Sequence, residues 1–467
     1  MQEIGRDWRA AAEGRAAVPP EVQHWWSKLR ARAALPLSQL GSEQNVCRIL
    51  LQLVAAADEA CTDVGIPDPG SMVSRGRKNM VWEATLLLQR QRDRREPSTL
   101  CKFVPCSLLA VLPKLHTPAS GATLRSLTHN LALHDNVEIA AKWHQITTEL
   151  DHAINVLCVP WPLQVAPVDF SPAQEPLPLE NMRTTTDFFD YTPPKSRGFV
   201  DNFRQLLTAA KTAVGSVDAV VFPELALDIR TFGQIRAVLD KESPAAFLIA
   251  GVRSRHRNDA FCSIPAKDFP IGKFSEVRQN QAKHHRWKLD LSQIQQYGLG
   301  GRLDAESMWW ESTVVEPRTM NFFSVQPWLT IGVLICEDLA RQDPAADLIR
   351  AVGPNLVVAL LMDGPQLPSR WPGRYATVLA DDPGSSVLTL SSLGMVLLSK
   401  PYDKPTSRVV GLWKDVMSSA AVPIELPPNK SGIVLSLSRR YREEFTADGR
   451  SDEEATAYLR LTGMHAI

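Results

Sequence analysis

The residues best suited to chemistry lie in three short stretches. In residues 330–338 an apolar run, Ile331-Gly332-Val333-Leu334-Ile335, ends in Cys336 and then meets Glu337 and Asp338. The run reads as a buried strand, and the two carboxylates mark where it must leave the core. A thiol at that point can face a substrate, although a free cysteine is more often plain core. In residues 219–227 a second strand-like run reaches Phe222, is closed by Pro223 and is followed by Glu224. In residues 280–287, Lys283 precedes His284 and His285, outside any helical spacing. A thiol is a weak nucleophile until a base takes its proton, and Glu224, partly desolvated at a strand end, suits that task. Negative charge that builds as the sulfur attacks would be met by Lys283 and by a backbone N–H just after Cys336.

Taken in order, Phe222-Pro223-Glu224, Lys283-His284-His285 and Ile335-Cys336-Glu337-Asp338 resemble the nitrilase superfamily of carbon–nitrogen hydrolases. The catalytic set of that family is Glu, Lys and Cys, in local contexts like F-P-E, K-x-H and I-C-x-D. The resemblance covers about residues 155–440. It implies a cysteine hydrolase of non-peptide C–N bonds, amide rather than nitrile, working through Glu224, Lys283 and Cys336. A thioester would form and ammonia or an amine would leave, with no metal and no cofactor. The family also has a second glutamate between Lys and Cys. Glu311, after Trp309-Trp310, takes that place, with Glu306 the alternative. Lys283 is preferred to Lys288 because it precedes a histidine, whereas Lys288 begins a polar stretch with Asp290. His284, His285, Trp310 and Glu337 are candidate substrate contacts. Two features depart from the family. The Lys-to-Cys interval, 336 − 283 = 53 residues, is long and points to an insertion within residues 297–311. Glu337 stands where an aromatic or small residue is usual, and its carboxylate would raise the thiol pKa unless it points away.

These residues need a scaffold. Strand patterns at 219–222, 246–251, 260–264, 330–335, 355–362, 386–390, 409–412 and 432–437 alternate with helical patterns at 203–214, 231–239, 345–352 and 373–381. Such alternation argues for an α/β sheet. The resemblance implies a four-layer α-β-β-α nitrilase-like sandwich over residues 156–445, opened by a strand at 163–166. Residues 171–197 read as a long loop near the site, and residues 446–467 as a C-terminal tail. Residues 1–155 read as a helical domain of unassigned role, with apolar spacings of three and four at 22–32, 45–63, 80–94 and 137–156. The basic group Arg75, Arg77, Lys78, Arg90, Arg92, Arg94 and Arg95 lacks the interleaved aromatics of a stacking platform and reads as a solvated helix face.

The bulk properties narrow the function classes. A chain of 467 residues is expected to form two domains. Zero net charge, 44% hydrophobic and 22% charged residues describe a soluble globular protein with no global pull to nucleic acid or membrane. With no run of eighteen apolar residues and no leader pattern after Met1, a cytoplasmic location is expected. Seven widely spaced cysteines do not form a disulfide framework. The sequence lacks G-x-S-x-G, P-loop and G-x-G-x-x-G patterns, which argues against serine-hydrolase and nucleotide chemistry. The expected partners are a small-molecule amide or nitrile, a second copy of the chain through helices 345–352 and 373–381, and a protein partner for residues 1–155. The other reading is a nitrilase fold used for binding or assembly with little or no turnover, joined to a protein or nucleic acid through the helical part. Specificity would come from loops 171–197 and 291–311, so the particular amide is not legible.

Overall fold

The computed structural model describes residues 1–467 except 68–97, 102, 120, 136–137, 147, 149, 151–152, 175–186, 195–197, 255, 268–273, 316–317 and 400–406. The basic group and the helix expected at 80–94 lie outside the described residues. The chain opens with α1 (Gln2–Ala12), α2 (Pro20–Arg30), α3 (Leu37–Leu40) and α4 (Gln44–Ala60). Val22, Trp25 and Ala56 form a small core there with Ile4, Trp8, Ile49 and Leu53. The three-and-four spacing of these residues is what places them on facing helix stripes.

Twenty strands follow among the described residues. They are β1 (Ala110–Pro113), β2 (Leu131–His134), β3 (Ala140–Gln145), β4 (Ala153–Cys158), β5 (Phe170–Pro172), β6 (Asp187–Tyr191) and β7 (Ala219–Asp228), with the one-turn helix α5 (Leu124–Leu127) between the first two. Next come β8 (Phe247–Ser254), β9 (Arg257–Lys267), β10 (Phe274–Ala282), β11 (Lys288–Leu289), β12 (Trp309–Glu311), β13 (Thr319–Gln326) and β14 (Leu329–Ile335). The last are β15 (Leu356–Leu361), β16 (Ser386–Ser391), β17 (Val409–Lys414), β18 (Val422–Glu425), β19 (Ile433–Arg442) and β20 (Thr456–Ala466). One seven-stranded sheet has the order β10-β9-β8-β7-β4-β19-β20, and the other β18-β17-β16-β15-β14-β13-β3. A four-stranded sheet, β11-β12-β6-β5, and the ribbon β1-β2 complete the set.

The two large sheets share one core. Val221, Ile249 and Cys262 of the first sheet belong to the same buried cluster as Phe322, Val333 and Val357 of the second. Val220 and Phe222, one residue to either side of Val221, join a second cluster with Phe203, Leu207, Phe232 and Ile235. Successive strand residues point to opposite faces, so helices α6 (Phe199–Val214) and α7 (Ile229–Glu242) cover the face of the first sheet away from the shared core. Helices α8 (Leu291–Gln296), α9 (Asp347–Val352), α10 (Trp371–Asp381) and α11 (Leu393–Leu398) follow, with α10 packed against β16 and β17. The fold is therefore mixed α/β with several sheets. No helix among the described residues is long and apolar enough to cross a membrane.

Several local expectations change. The described residues of 137–156 are not helical: Ala140–Gln145 pairs in parallel with β13, and Ala153–Cys158 lies between β7 and β19. A short apolar run fits either period, and the β-branched residues Ile154 and Val156 favour the strand once neighbours are present. Residues 163–166 form no strand, because Pro160, Pro162 and Pro167 around them lack donors for a ladder. The described parts of 171–197 contain β6 rather than loop alone, and residues 446–467 supply the edge strand β20.

Candidate active site

Glu224 owes its position to a bulge. Phe222 pairs with Ala250 and Leu227 with Val252, so Pro223, Glu224, Leu225 and Ala226 all face the single Gly251 of β8. Pro223 offers no N–H to a ladder, which is why the strand opens here. Leu225 takes a positive φ of 51°, which completes the outward turn. Gly251 is required for the close approach: a Cβ there would lie 2.4 Å from Pro223 O and 2.5 Å from Glu224 Cα.

Cys336 directly follows β14, in the interior of the second sheet, and begins a short 3₁₀ turn, Cys336–Leu339. Its φ of 47° is uncommon for a residue with a Cβ, and such conformations persist where the surroundings hold them. Lys283 follows the last residue of β10. Its loop is tied to the cysteine turn by Asp338, a buried carboxylate that accepts from the His284 N–H at 3.1 Å and pairs with His285 Nδ1 at 2.9 Å.

These elements bring the ionisable groups together. Lys283 Nζ donates to Glu224 Oε1 at 2.7 Å and to Glu311 Oε2 at 2.5 Å. Asn258 Nδ2 donates to the other side of the same pair, to Glu224 Oε1 at 2.6 Å and Glu311 Oε1 at 2.7 Å. Glu224 Oε2 is buried and has no hydrogen-bond partner among the described residues. Burial pushes the Glu224 carboxyl up, against the pull of Lys283. Burial alone would lower Lys283, yet Glu224, Glu311 and Cys336 hold it well above its ordinary value, so it is a fixed cation. Burial and Glu224 together push the Cys336 thiol well above its usual range; Lys283 and a hydrogen bond from the Met362 backbone pull the other way without reversing it. These surroundings favour the protonated thiol at rest. A thiolate would be a third buried anion beside Glu224 and Glu311, facing one cation.

Of the residues singled out by sequence, Glu224, Lys283, Cys336 and Glu311 converge. Glu306 is exposed on a turn and donates its N–H to Asp304. Lys288 is exposed and lies over the Trp310 ring at 5.6 Å. Trp310 does not line the pocket described below; Trp287 does. Glu337 pairs with Arg341 at 2.5 Å and is not among the charges that act on the Cys336 thiol. His284 is buried, with Nε2 on Thr319 O at 3.1 Å, and His285 Nδ1 pairs with Asp338. Asn258 carried no sequence signal, because its role depends on the β8–β9 pairing that sets it beside both glutamates. Asp338 had one, as the second carboxylate after Cys336.

A pocket of about 370 Å³, part of it open to solvent, leads to this cluster. Glu224, Asn258, Glu311 and Met362 line it together with Phe189, Tyr191, Leu225 and Trp287. Asp190, Arg253, Ser254, Arg257, Ser312 and Thr313 complete the lining. Cys336 is 4% exposed and is not among the residues that line the pocket.

No family model and no curated protein matches the sequence. Solved structures do. Its structural neighbours are carbon–nitrogen hydrolases and nitrilase-superfamily members. A carbon–nitrogen hydrolase from Helicobacter pylori G27 is 12% identical, over 59% of this chain and 86% of its own, with a TM-score of 0.33. Saccharomyces cerevisiae Nit3, a member of branch 10 of the nitrilase superfamily, is 11% identical over 60% and 89%, also at 0.33. The C. elegans NitFhit protein is 10% identical over 60% and 59%, at 0.30. Superpositions this loose transfer no residue roles to this chain, and the roles rest on the geometry above.

Proposed function

We propose that the chain is a cysteine hydrolase of non-peptide C–N bonds, acting on amides rather than nitriles, with Glu224, Lys283 and Cys336 as its triad. The observation that carries this reading is the Lys283 ammonium clamped between Glu224 and Glu311 beside a strand-end cysteine of positive φ. In the proposed reaction Cys336 Sγ bonds to the amide carbon while its proton passes to Glu224 Oε2. The carbonyl π pair moves to oxygen, where Lys283 meets the charge. The tetrahedral carbon then re-forms C=O and breaks C–N, and nitrogen takes the proton from Glu224 as it leaves. Water, giving its proton to Glu224, splits the thioester and restores the thiol. Glu311 and Asn258 hold Lys283 and Glu224 in register.

We further propose a four-layer α-β-β-α sandwich, begun by β3 and β4, a helical N-terminal part that binds a protein partner, and a homo-oligomer formed through α9 and α10. Tyr375 and Val378 on α10 are exposed, at the spacing of one helix face. All seven cysteines are free thiols, which supports a reducing, cytoplasmic setting.

The burial of Cys336 and its raised pKa favour a second reading, a binding or assembly module with little turnover. Ammonia release from a panel of primary amides and nitriles separates the two. Hydrolysis that is abolished by Cys336→Ala, together with an acyl adduct visible by intact mass in Glu224→Gln, is the expected result. No release from any member by the folded protein would leave the binding reading.

A further inference from the structure

The long interval between Lys283 and Cys336 reaches the neighbourhood of the nucleophile. Helix α8 and the turn after it place Ile294, Tyr297, Leu299 and Leu303 in one buried cluster with Met362. Met362 directly follows β15. In the parallel β14–β15 register Ile335 faces Leu360, so Cys336 and residues 361–363 leave the sheet side by side. The inserted segment therefore packs on the turn that runs beside Cys336.

Tyr297 is the polar tie between them. It is 2% exposed, and its hydroxyl donates to Asp363 Oδ1 at 2.9 Å. Burial and the Asp363 charge hold the phenol well above its ordinary pKa, so it keeps its proton and remains a donor. The same Oδ1 accepts from the Gly364 N–H at 2.7 Å and from Arg370 Nη2 at 3.0 Å. The Gly364 N–H also reaches the Tyr297 oxygen at 3.2 Å. Ser391 Oγ donates to Asp363 O at 2.6 Å, and Arg370 Nη1 to Pro365 O at 2.7 Å. The turn is thus held by the inserted segment, by the residue before α10 and by the end of β16. Burial, Glu224 and Asp363 push the Cys336 thiol up, while Lys283 and the Met362 backbone N–H pull it down. A carboxylate that opposes the thiolate is unfavourable there unless it holds something the reaction needs. What Asp363 holds is the turn that carries the Met362 N–H.

We propose that Tyr297 and Asp363 are positioning residues: through the 362–366 turn they keep the Met362 N–H on Cys336 Sγ, where it meets the negative charge that grows on sulfur during attack. This rests on the hydrolase reading for the attack, but the tie itself can be read without turnover.

The test follows alkylation of Cys336 by iodoacetamide across a range of pH, read on the Cys336 peptide so that the other six cysteines do not count. Tyr297→Phe removes the hydroxyl and keeps the ring that packs edge-on against Trp287. It should slow labelling about tenfold at each pH, the range of one hydrogen bond to a charged atom, and lower kcat by a similar factor with KM unchanged. Asp363→Asn keeps an acceptor for Tyr297 and Gly364, whereas Asp363→Ala does not. Both lack the charge, so their comparison reads the turn alone, and the Asn variant should label several-fold faster than the Ala variant. Thermal unfolding checks that each variant folds; a purely structural tie would lower the melting temperature and leave the pH profile of labelling in place. A folded Tyr297→Phe that labels at the wild-type rate or faster, or equal rates in Asp363→Asn and Asp363→Ala, overturns the positioning role and leaves the hydrolase intact. The expected labelling shifts in a protein that hydrolyses no amide support the positioning of the sulfur and overturn the hydrolase. A wild-type Cys336 that the reagent reaches at no pH overturns the positioning role as well.

Discussion

Replacing Gly251 with alanine tests whether the β7 bulge sets the catalytic geometry. The new Cβ would meet Pro223 O at 2.4 Å, Glu224 Cα at 2.5 Å and Leu225 N at 2.6 Å. All three are backbone atoms, so no side chain can swing aside. Reaching even a tight contact of about 3.0 Å requires a shift of about 0.6 Å (3.0 less 2.4), and an ordinary contact about 1 Å. That displacement falls on the residue whose carboxylate is bonded to both Lys283 and Asn258. A misplacement of about 1 Å costs on the order of 100-fold in rate, or about 2.7 kcal/mol of transition-state stabilisation. Overpacking adds about 1–3 kcal/mol of lost stability. The assay is kcat/KM for the amide that the wild type hydrolyses best, alongside a thermal melt. Gly233→Ala is the control: it lies in α7 with nothing within 4 Å of its added Cβ, and should gain about 0.5–1 kcal/mol. A Gly251→Ala protein with wild-type activity and melting temperature would refute the argument that the bulge places Glu224.

Other outcomes follow from the same contacts. Asp338→Ala orphans the buried His284 N–H and frees the Lys283 loop, so about 1–3 kcal/mol of stability and a larger share of kcat than of KM should be lost; unchanged kinetics would show that Lys283 needs no tether. Burial would raise Glu444, but His116, Arg442 and the Thr117 N–H hold it at about 2, below its ordinary 4.5. A depressed carboxyl contributes stability that is complete above pH 4.5 and lost as pH falls toward 2. On the order of 3 kcal/mol should disappear in that window, and in Glu444→Gln the drop across it should flatten. Residues 160–467 alone should be insoluble, because β4 lies between β7 and β19 and its loss splits the first sheet; a soluble truncation with a cooperative melt would contradict that.

Much of the site was legible because it depends on short-range pattern. An apolar run broken by a cysteine and two carboxylates reads as a strand that stops, and a proline after Phe222 withholds a donor from the ladder. Glu224, Lys283 and Cys336 therefore stood out before any contact was known, as did the alternating elements from 203 to 437. Direction was not legible. Glu337 and Asp338 are adjacent and chemically alike, yet one pairs with Arg341 in solvent and the other clamps the lysine loop, because the turn after Cys336 rotates successive side chains to opposite sides. Glu311 was the sequence's choice with Glu306 the alternative, and β12, paired with β6 and β11, is what buries Glu311 beside Lys283.

Residues 137–156 satisfied a helical spacing and became two strands, since a segment that short takes whichever period its neighbours complete. The same holds for charge. The sequence names a base, a cation and a thiol, but only their joint burial decides that the lysine stays charged and the thiol keeps its proton. Local periodicity and turn chemistry act over a few residues and are written in the chain; side-chain direction, desolvation and the meeting of two sheets depend on residues more than fifty positions apart, and exist only after folding.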